Sequence, residues 1–294
     1  MRNRRKTAGD RAFNIVVMGI SIALLLVIAY PLWFIIIASF SDPVEVNLGK
    51  VWILPSRVTL LGYQRVFENA QLWLGYRNTI FYTVAGTFFS LLFTLPAAYA
   101  LSRKDLVGRN VIMQYFVFTM FFSGGLIPTY LTVNRFHLSN TVWVLLIPFS
   151  VSVYNIIIAR TFFASSIPQE LLEAARLDGC GNARFFAAVA LPLSKAIIAV
   201  IGLYCAVSHW NQFFQSLIYV RNENLVPLQI VLRNILLQNK FWEDSITDAL
   251  NEVQLIGDVM KYAVIIIATA PVMCIYPFIQ KYFAKGVMIG AVKG

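Results

Sequence analysis

Apolar residues run in six long stretches along this chain, near 13–40, 78–101, 111–133, 140–163, 193–219 and 260–283, and the charged residues collect between them. Each stretch holds about 20 residues or more, enough for a helix to cross roughly 30 Å of hydrocarbon. Strands of a membrane barrel would show short segments of alternating polarity instead. The pattern predicts an all-α, polytopic membrane protein with six transmembrane helices. It divides into a cytoplasmic tail (1–12), a first span (13–40), an extracytoplasmic segment (41–77), a five-helix core (78–283) and a second cytoplasmic tail (284–294). The first run far exceeds the 7–15-residue apolar core of a cleaved signal peptide. It reads as a retained helix in which Pro31 allows a kink.

Composition agrees. Hydrophobic residues make up 59% and charged residues 13%, with a mean hydropathy of +0.69, whereas soluble domains carry about 25% charged residues. Lys and Arg gather on the inner side of membranes. With the N-terminus inside, the inner segments hold 15 of the 24 basic residues but only five acids (Asp10, Asp105, Glu170, Glu173 and Asp178). The net charge of +10 is then wholly a property of the cytoplasmic face, which points to membrane lipid rather than nucleic acid as its partner. Both termini and residues 166–192 fall inside.

The candidate chemistry is sparse. Cys180, Cys205 and Cys274 form no CxxC pair, His137 and His209 are the only histidines, and no phosphate-binding G-x-x-x-x-G-K-[ST] loop occurs. No catalytic residue, metal site or cofactor is expected. None of the 14 acids lies inside a predicted span. Ion-coupled carriers normally place an ionisable group there, so the energy for transport has to come from an external motor.

The segment "EAARLDGCGNARFFAAVALP" (173–192) is where such a motor could act. Ser166, Pro168 and Gln169 offer a cap hydroxyl, an early proline and a capping-box amide. Glu170, Glu173 and Ala174 share a helical surface, with Arg176 one turn past Glu173. Asp178-Gly179 ends the helix through a left-handed glycine. A second short helix runs through Ala183–Ala190, and Pro192 opens the fifth span. On spacing alone, a solvated amphipathic connector fits equally well.

Glu173, Ala174, Ala175, Gly179, Val189, Leu191 and Pro192 resemble the E-A-A-x(3)-G-x(9)-I-x-L-P loop signature of permease subunits of ATP-binding-cassette importers, with Val189 for Ile the one departure. "AAYALSR" (97–103), "LIPTYL" (126–131), "HWNQFF" (209–214) and "FAKGVMIGAVKG" (283–294) are similar to the carbohydrate-uptake branch, specifically the maltose-type second permease. The resemblance implies a type I importer fold and a heterodimer with a second permease subunit. It also implies an ATPase dimer gripping a coupling helix at Glu170, Glu173, Ala174, Ala175, Asp178, Gly179, Leu191 and Pro192, and an extracytoplasmic solute-binding protein. The expected cargo is a sugar, most naturally an oligosaccharide.

Polar and aromatic residues within the spans are candidates for the translocation pathway: His209, Trp210, Asn211, Gln212 and Gln215 in the fifth, Tyr154 and Asn155 in the fourth, Gln114 and Tyr115 in the third. Rings pack on sugar C–H faces while amides bond hydroxyls; helix–helix hydrogen bonding would explain the same residues. Gly124-Gly125 with Pro128 suggests an interrupted helix. In the outer loop 220–258, the amphipathic "VPLQIVLRNILL" includes Gln229, Arg233 and Asn234, which the resemblance assigns to binding-protein contact; a lid over the outer mouth is the other reading. Trp52, Pro55, Tyr63 and Trp73 could extend that docking surface. An amino-acid or peptide permease of the same superfamily, an ion-coupled carrier acting alone and a membrane enzyme are the competing functions.

Overall fold

The computed structural model of the chain describes residues 8–243, 260–274 and 277. The four outer-loop acids Asp244, Asp248, Glu252 and Asp258, the end of the sixth apolar stretch and the tail 284–294 lie outside the described residues. Within them the chain is helical, with one isolated bridge between Ser41 and Val58 in place of a sheet. The chain divides into two compact units, residues 1–69 with 232–270 and residues 70–231 with 271–294.

The first unit opens on α1 (Ala8–Ser39). Its 32 residues give a rod of about 48 Å, and only 6% of its most apolar window is buried. Bare aliphatic surface on that scale is untenable in water and ordinary in hydrocarbon. The chain then folds back on the end of this helix through α2 (Pro43–Asn47) and α3 (Leu61–Glu68). Trp33 Nε1 donates to the Ile53 carbonyl at 2.9 Å. Ser39 Oγ and the Tyr63 hydroxyl lie 2.8 Å apart, and Tyr63 tilts against Phe40 at 5.1 Å. Tyr63, expected on a docking surface, thus braces the end of α1, whereas Trp52 stays exposed. Tyr262, on α15 (Met260–Cys274), meets Phe34 edge-on at 6.0 Å.

The second unit is organised by α4 (Ala70–Ser102), the other helix long and apolar enough to cross a membrane unbroken. Against it pack α8 (Val153–Ser166) and α12 (Lys195–Trp210). Two further spans could form from broken pairs, so the described residues contain two candidate spans, or four with each bent pair counted as one. In the first pair, α5 (Arg109–Phe121) and α6 (Leu126–Arg135) meet at 114°. The break falls at Gly124-Gly125, where Gly125 has φ +84°. In the second, the run Asn182–Leu193 turns 85° into α12. Pro192 therefore does not open the long helix: it sits in a short preceding helix, and α12 starts at Lys195. The fourth apolar stretch is likewise divided, between α7 (Trp143–Leu146) and α8.

Side chains on α4 hold the short 3-10 turn Glu223–Leu225 and the residues that follow it. Asn78 Nδ2 donates to the Asn224 and Val226 carbonyls at 2.8 and 3.0 Å, and the Tyr82 hydroxyl donates to the Leu225 carbonyl at 2.8 Å. Thr79 Oγ1 accepts from the Leu228 N–H at 2.8 Å, capping the start of α14 (Leu228–Glu243). Gly75 leaves the room: a Cβ there would lie 3.1 Å from the Leu228 Cα. A buried N–H deprived of its acceptor costs about 1–3 kcal/mol. Thr79→Val, nearly isosteric, should therefore lower thermal stability in detergent by that amount, while Thr79→Ser keeps the bond and most of the stability; equal melting of the two would refute the cap.

Candidate functional sites

The 166–192 segment forms two short helices around a tight turn. The first, α9 (Gln169–Leu177), ends in a Schellman closure: Cys180 N–H donates to the Ala175 carbonyl at 2.8 Å and Gly179 N–H to the Arg176 carbonyl at 3.0 Å. Gly179 has φ +74° and open space where a Cβ would point, so it is required by the backbone conformation rather than by packing. The expected capping box does not form. Pro168 occupies the N-cap without a side-chain bond, and Gln169 Nε2 donates to Glu173 at 2.9 Å. Nor does Arg176 pair with Glu173; it turns to the Asp105 carboxylate.

One side of α9 is fixed in the interior. Leu172 is buried in a cluster with Tyr99, Met113, Phe163, Phe185 and Ile201. Phe185 belongs to α10 (Asn182–Phe185), which continues through a π-helical turn, Phe186–Ala190, into α11 (Leu191–Leu193). The other side is bare. Glu170, Glu173, Ala174 and Leu177 recur at the one-turn spacing of a single helical stripe and are all exposed, Leu177 at 90%. Asp178 is also exposed, Ala175 and Leu191 are half-buried against the cluster, and Pro192 is exposed. Leu177 and Asp105 are the residues sequence reasoning missed. Leucine on an amphipathic helix reads as core until its neighbours are known, and Asp105 lies 71 positions from its partner.

Asp105 sits in the connection between α4 and α5. Hydrogen bonds from Arg103, and then from Arg176, hold its carboxyl down at about 2 against an ordinary 3.8. Because the folded value is depressed, this stabilisation is complete above the ordinary value and is lost progressively as pH falls from there through about 2. The cluster stays ionised at every physiological pH.

Most polar residues of the fifth apolar stretch find partners within the protein. His209, Trp210 and Gln212 are buried. His209 packs on Gly86, where a Cβ would come within 2.5 Å of the imidazole. Its Nε2 lies 3.2 Å from Ser90 Oγ and its Nδ1 3.4 Å from Gln212 Oε1, while Gln212 Nε2 donates to the Leu145 carbonyl at 3.2 Å. Asn155, also buried, reaches Cys205 Sγ at 3.6 Å. These groups lock α4, α7, α8 and α12 together, the packing alternative recognised from sequence. Asn211 is exposed and bonds back to the Val207 carbonyl at 2.9 Å. Gln215 is half-buried, whereas Gln114, Tyr115 and Tyr154 are exposed. Gln114, Tyr115, Tyr154 and Asn211 are thus the exposed pathway candidates.

Of the outer-loop candidates, Gln229 is half-buried and turns toward the Trp210 carbonyl at 3.5 Å. Asn234 is exposed, with Arg233 Nη1 3.5 Å from its Oδ1. Among the described residues no group of three or more His, Cys, Asp or Glu could hold a metal ion.

Residues 70–289 match the family described as the binding-protein-dependent transport system inner membrane component. The chain belongs to this family and is therefore a membrane transport subunit rather than an enzyme. It is 40% identical over 267 residues to the protein LplC of Bacillus subtilis, covering 90% of this chain and 89% of that one. It is 36% identical to the polygalacturonan/rhamnogalacturonan transport system permease protein YtcP of the same organism, over 97% of this chain and 99% of the relative. The fold matches a solved bacterial ABC transporter involved in import of the acidic polysaccharide alginate, with a TM-score of 0.87 and 34% identity over 96% of this chain and all of that one.

Proposed function

We propose that this chain is one of two permease subunits of an ATP-driven, binding-protein-dependent importer whose cargo is a fragment of an acidic polysaccharide. Its six apolar stretches cross the membrane, the broken pairs included, with both termini inside. The α9–α11 element projects inward to an ATPase dimer, and the 220–258 loop faces an extracytoplasmic solute-binding protein. The observation that carries this reading is α9 itself: two acids, an alanine and a bare leucine on one stripe, with the opposite side locked into the core. A loop that merely connected two spans would need neither the rigid closure at Gly179 nor an exposed leucine.

The cargo class draws support from the relatives that handle polygalacturonan, rhamnogalacturonan and alginate, and from the charge of the spans. The apolar helices α4, α5, α6, α7, α8 and α12 carry no acid, while Arg77 and Arg160 lie in α4 and α8. Such a membrane core does not repel a polyanion. The chain, co-expressed with its partner permease, ATPase and binding protein, should yield proteoliposomes that accumulate trigalacturonate only when ATP is supplied. Uptake driven by an ion gradient without the ATPase would overturn the importer reading. Uptake of neutral oligosaccharides alone would overturn the acidic cargo.

A further inference from the structure

Asp105 belongs to no motif, yet among the described residues its carboxylate alone ties the α4–α5 connection to the α9–α10 element by charge. Oδ1 accepts from Arg103 Nε at 3.1 Å; Oδ2 accepts from Arg103 Nη2 at 3.4 Å and from Arg176 Nη2. Each neighbour extends the link. The Arg103 guanidinium lies 5.9 Å from the Tyr99 ring centroid on α4. Arg176, on α9, reaches Asn182 Oδ1 at 3.5 Å, at the start of α10. Just beyond α10, Phe186 returns to Tyr99 at 5.0 Å. The contacts close a circuit around an open cleft lined by Tyr99, Arg103, Asp105, Asn182 and Phe186.

We infer that Asp105 is a positioning residue for ATP coupling, a two-armed pivot through which displacement of α9 reaches the end of α4. This rests on the coupling role proposed above for α9. The element has two attachments of different kinds. Leu172 and Phe185 form an apolar seat that resists withdrawal but, being non-directional, leaves rotation unspecified. In the Arg103–Asp105–Arg176 strut, Asp105 and Arg176 are exposed and Arg103 is half-buried beside the cleft; planar, directional guanidinium contacts fix its orientation. Exposed ion pairs contribute little to stability, so the strut sets geometry more than it holds the fold.

The test uses the complete importer in proteoliposomes, with native cysteines replaced by serine and spin labels at Val107→Cys and Arg184→Cys, both exposed. With Asp105 present, the label-to-label distance should stay narrow and equal in the nucleotide-free and ATP-bound states, because connection and element move as one. In Asp105→Asn it should broaden and shift on ATP binding. Trigalacturonate taken up per ATP hydrolysed should fall about fivefold, the low end of a typical coupling effect. Arg176→Gln should match it, the double variant should be no worse than either single, and Arg176→Lys should recover part of the ratio.

An unchanged narrow distance in Asp105→Asn overturns the pivot. So does loss of the ATPase subunits from that variant on purification, which would make Asp105 structural. If Gly179→Val uncouples the importer while Asp105→Asn does not, the pivot alone fails. If neither does, the coupling role of α9 fails as well.

Discussion

Valine at position 179 is expected to cut ATP-coupled uptake by about tenfold while the complex still inserts in the membrane. Gly179 adopts φ +74°, where a side chain would meet no neighbouring atom. The penalty is therefore one of backbone conformation, about 1–2 kcal/mol for an L-residue held left-handed and more for a β-branched one. The strained turn would relax by releasing the Cys180-to-Ala175 and Gly179-to-Arg176 bonds that end α9, loosening the helix that presents Glu170, Glu173, Ala174 and Leu177. Gly179→Asn tolerates the left-handed region better and should retain more uptake than valine. Uptake and ATPase co-purification measured together check this; wild-type uptake in the valine variant would refute a rigid coupling element.

Leucine at position 86 should have the larger effect on stability. A Cβ there would already stand 2.5–2.6 Å from three atoms of the His209 ring, and a leucine adds three more carbons. Overpacking of this kind costs about 1–3 kcal/mol. Displacing the ring also breaks the contacts to Ser90 and Gln212, and a buried polar group left unpaired costs about 1–3 kcal/mol again. The purified importer should lose folded protein at markedly lower temperature, read as the surviving monodisperse fraction after heating. Gly86→Ala combined with His209→Ala should be milder than the sum of the two single changes, because removing the ring vacates the space that the methyl needs. A Gly86→Leu importer that melts like wild type would show that α4 and α12 do not meet there.

These two glycines separate what a sequence can announce from what it conceals. Gly179 was legible because helix-ending chemistry is local: a short amphipathic run, then Asp-Gly, specifies a left-handed turn with little help from the rest of the chain. Gly86 carried no such mark. Its role depends on an imidazole 123 positions away, and only the crossing of α4 with α12 brings them together. His209 and Gln212 were singled out for the right physical reason, that buried polar groups must find partners. Sequence could not name those partners; in the structure His209 meets Ser90 and Gln212, and Gln212 donates to the Leu145 carbonyl. Gln229 shows the same ambiguity, turning inward to the Trp210 carbonyl rather than outward. Leu177 shows the reverse, an apolar residue left exposed.

By itself the sequence determined the solvent, the helical class, the acid-free apolar stretches, the break at Gly124-Gly125 and the closure of α9, because hydrophobic run length, charge placement and terminal turn chemistry act over a few residues to a few turns. Only the tertiary structure decided that α12 begins at Lys195 and that Arg176 serves Asp105 instead of Glu173. Those outcomes depend on which faces meet across 50 to 150 positions of chain, as the bonds from Asn155 to Cys205 and from Thr79 to Leu228 do. In a membrane the apolar signal that marks a span is nearly the same on every face, so the pattern along the chain cannot say which face another helix will cover.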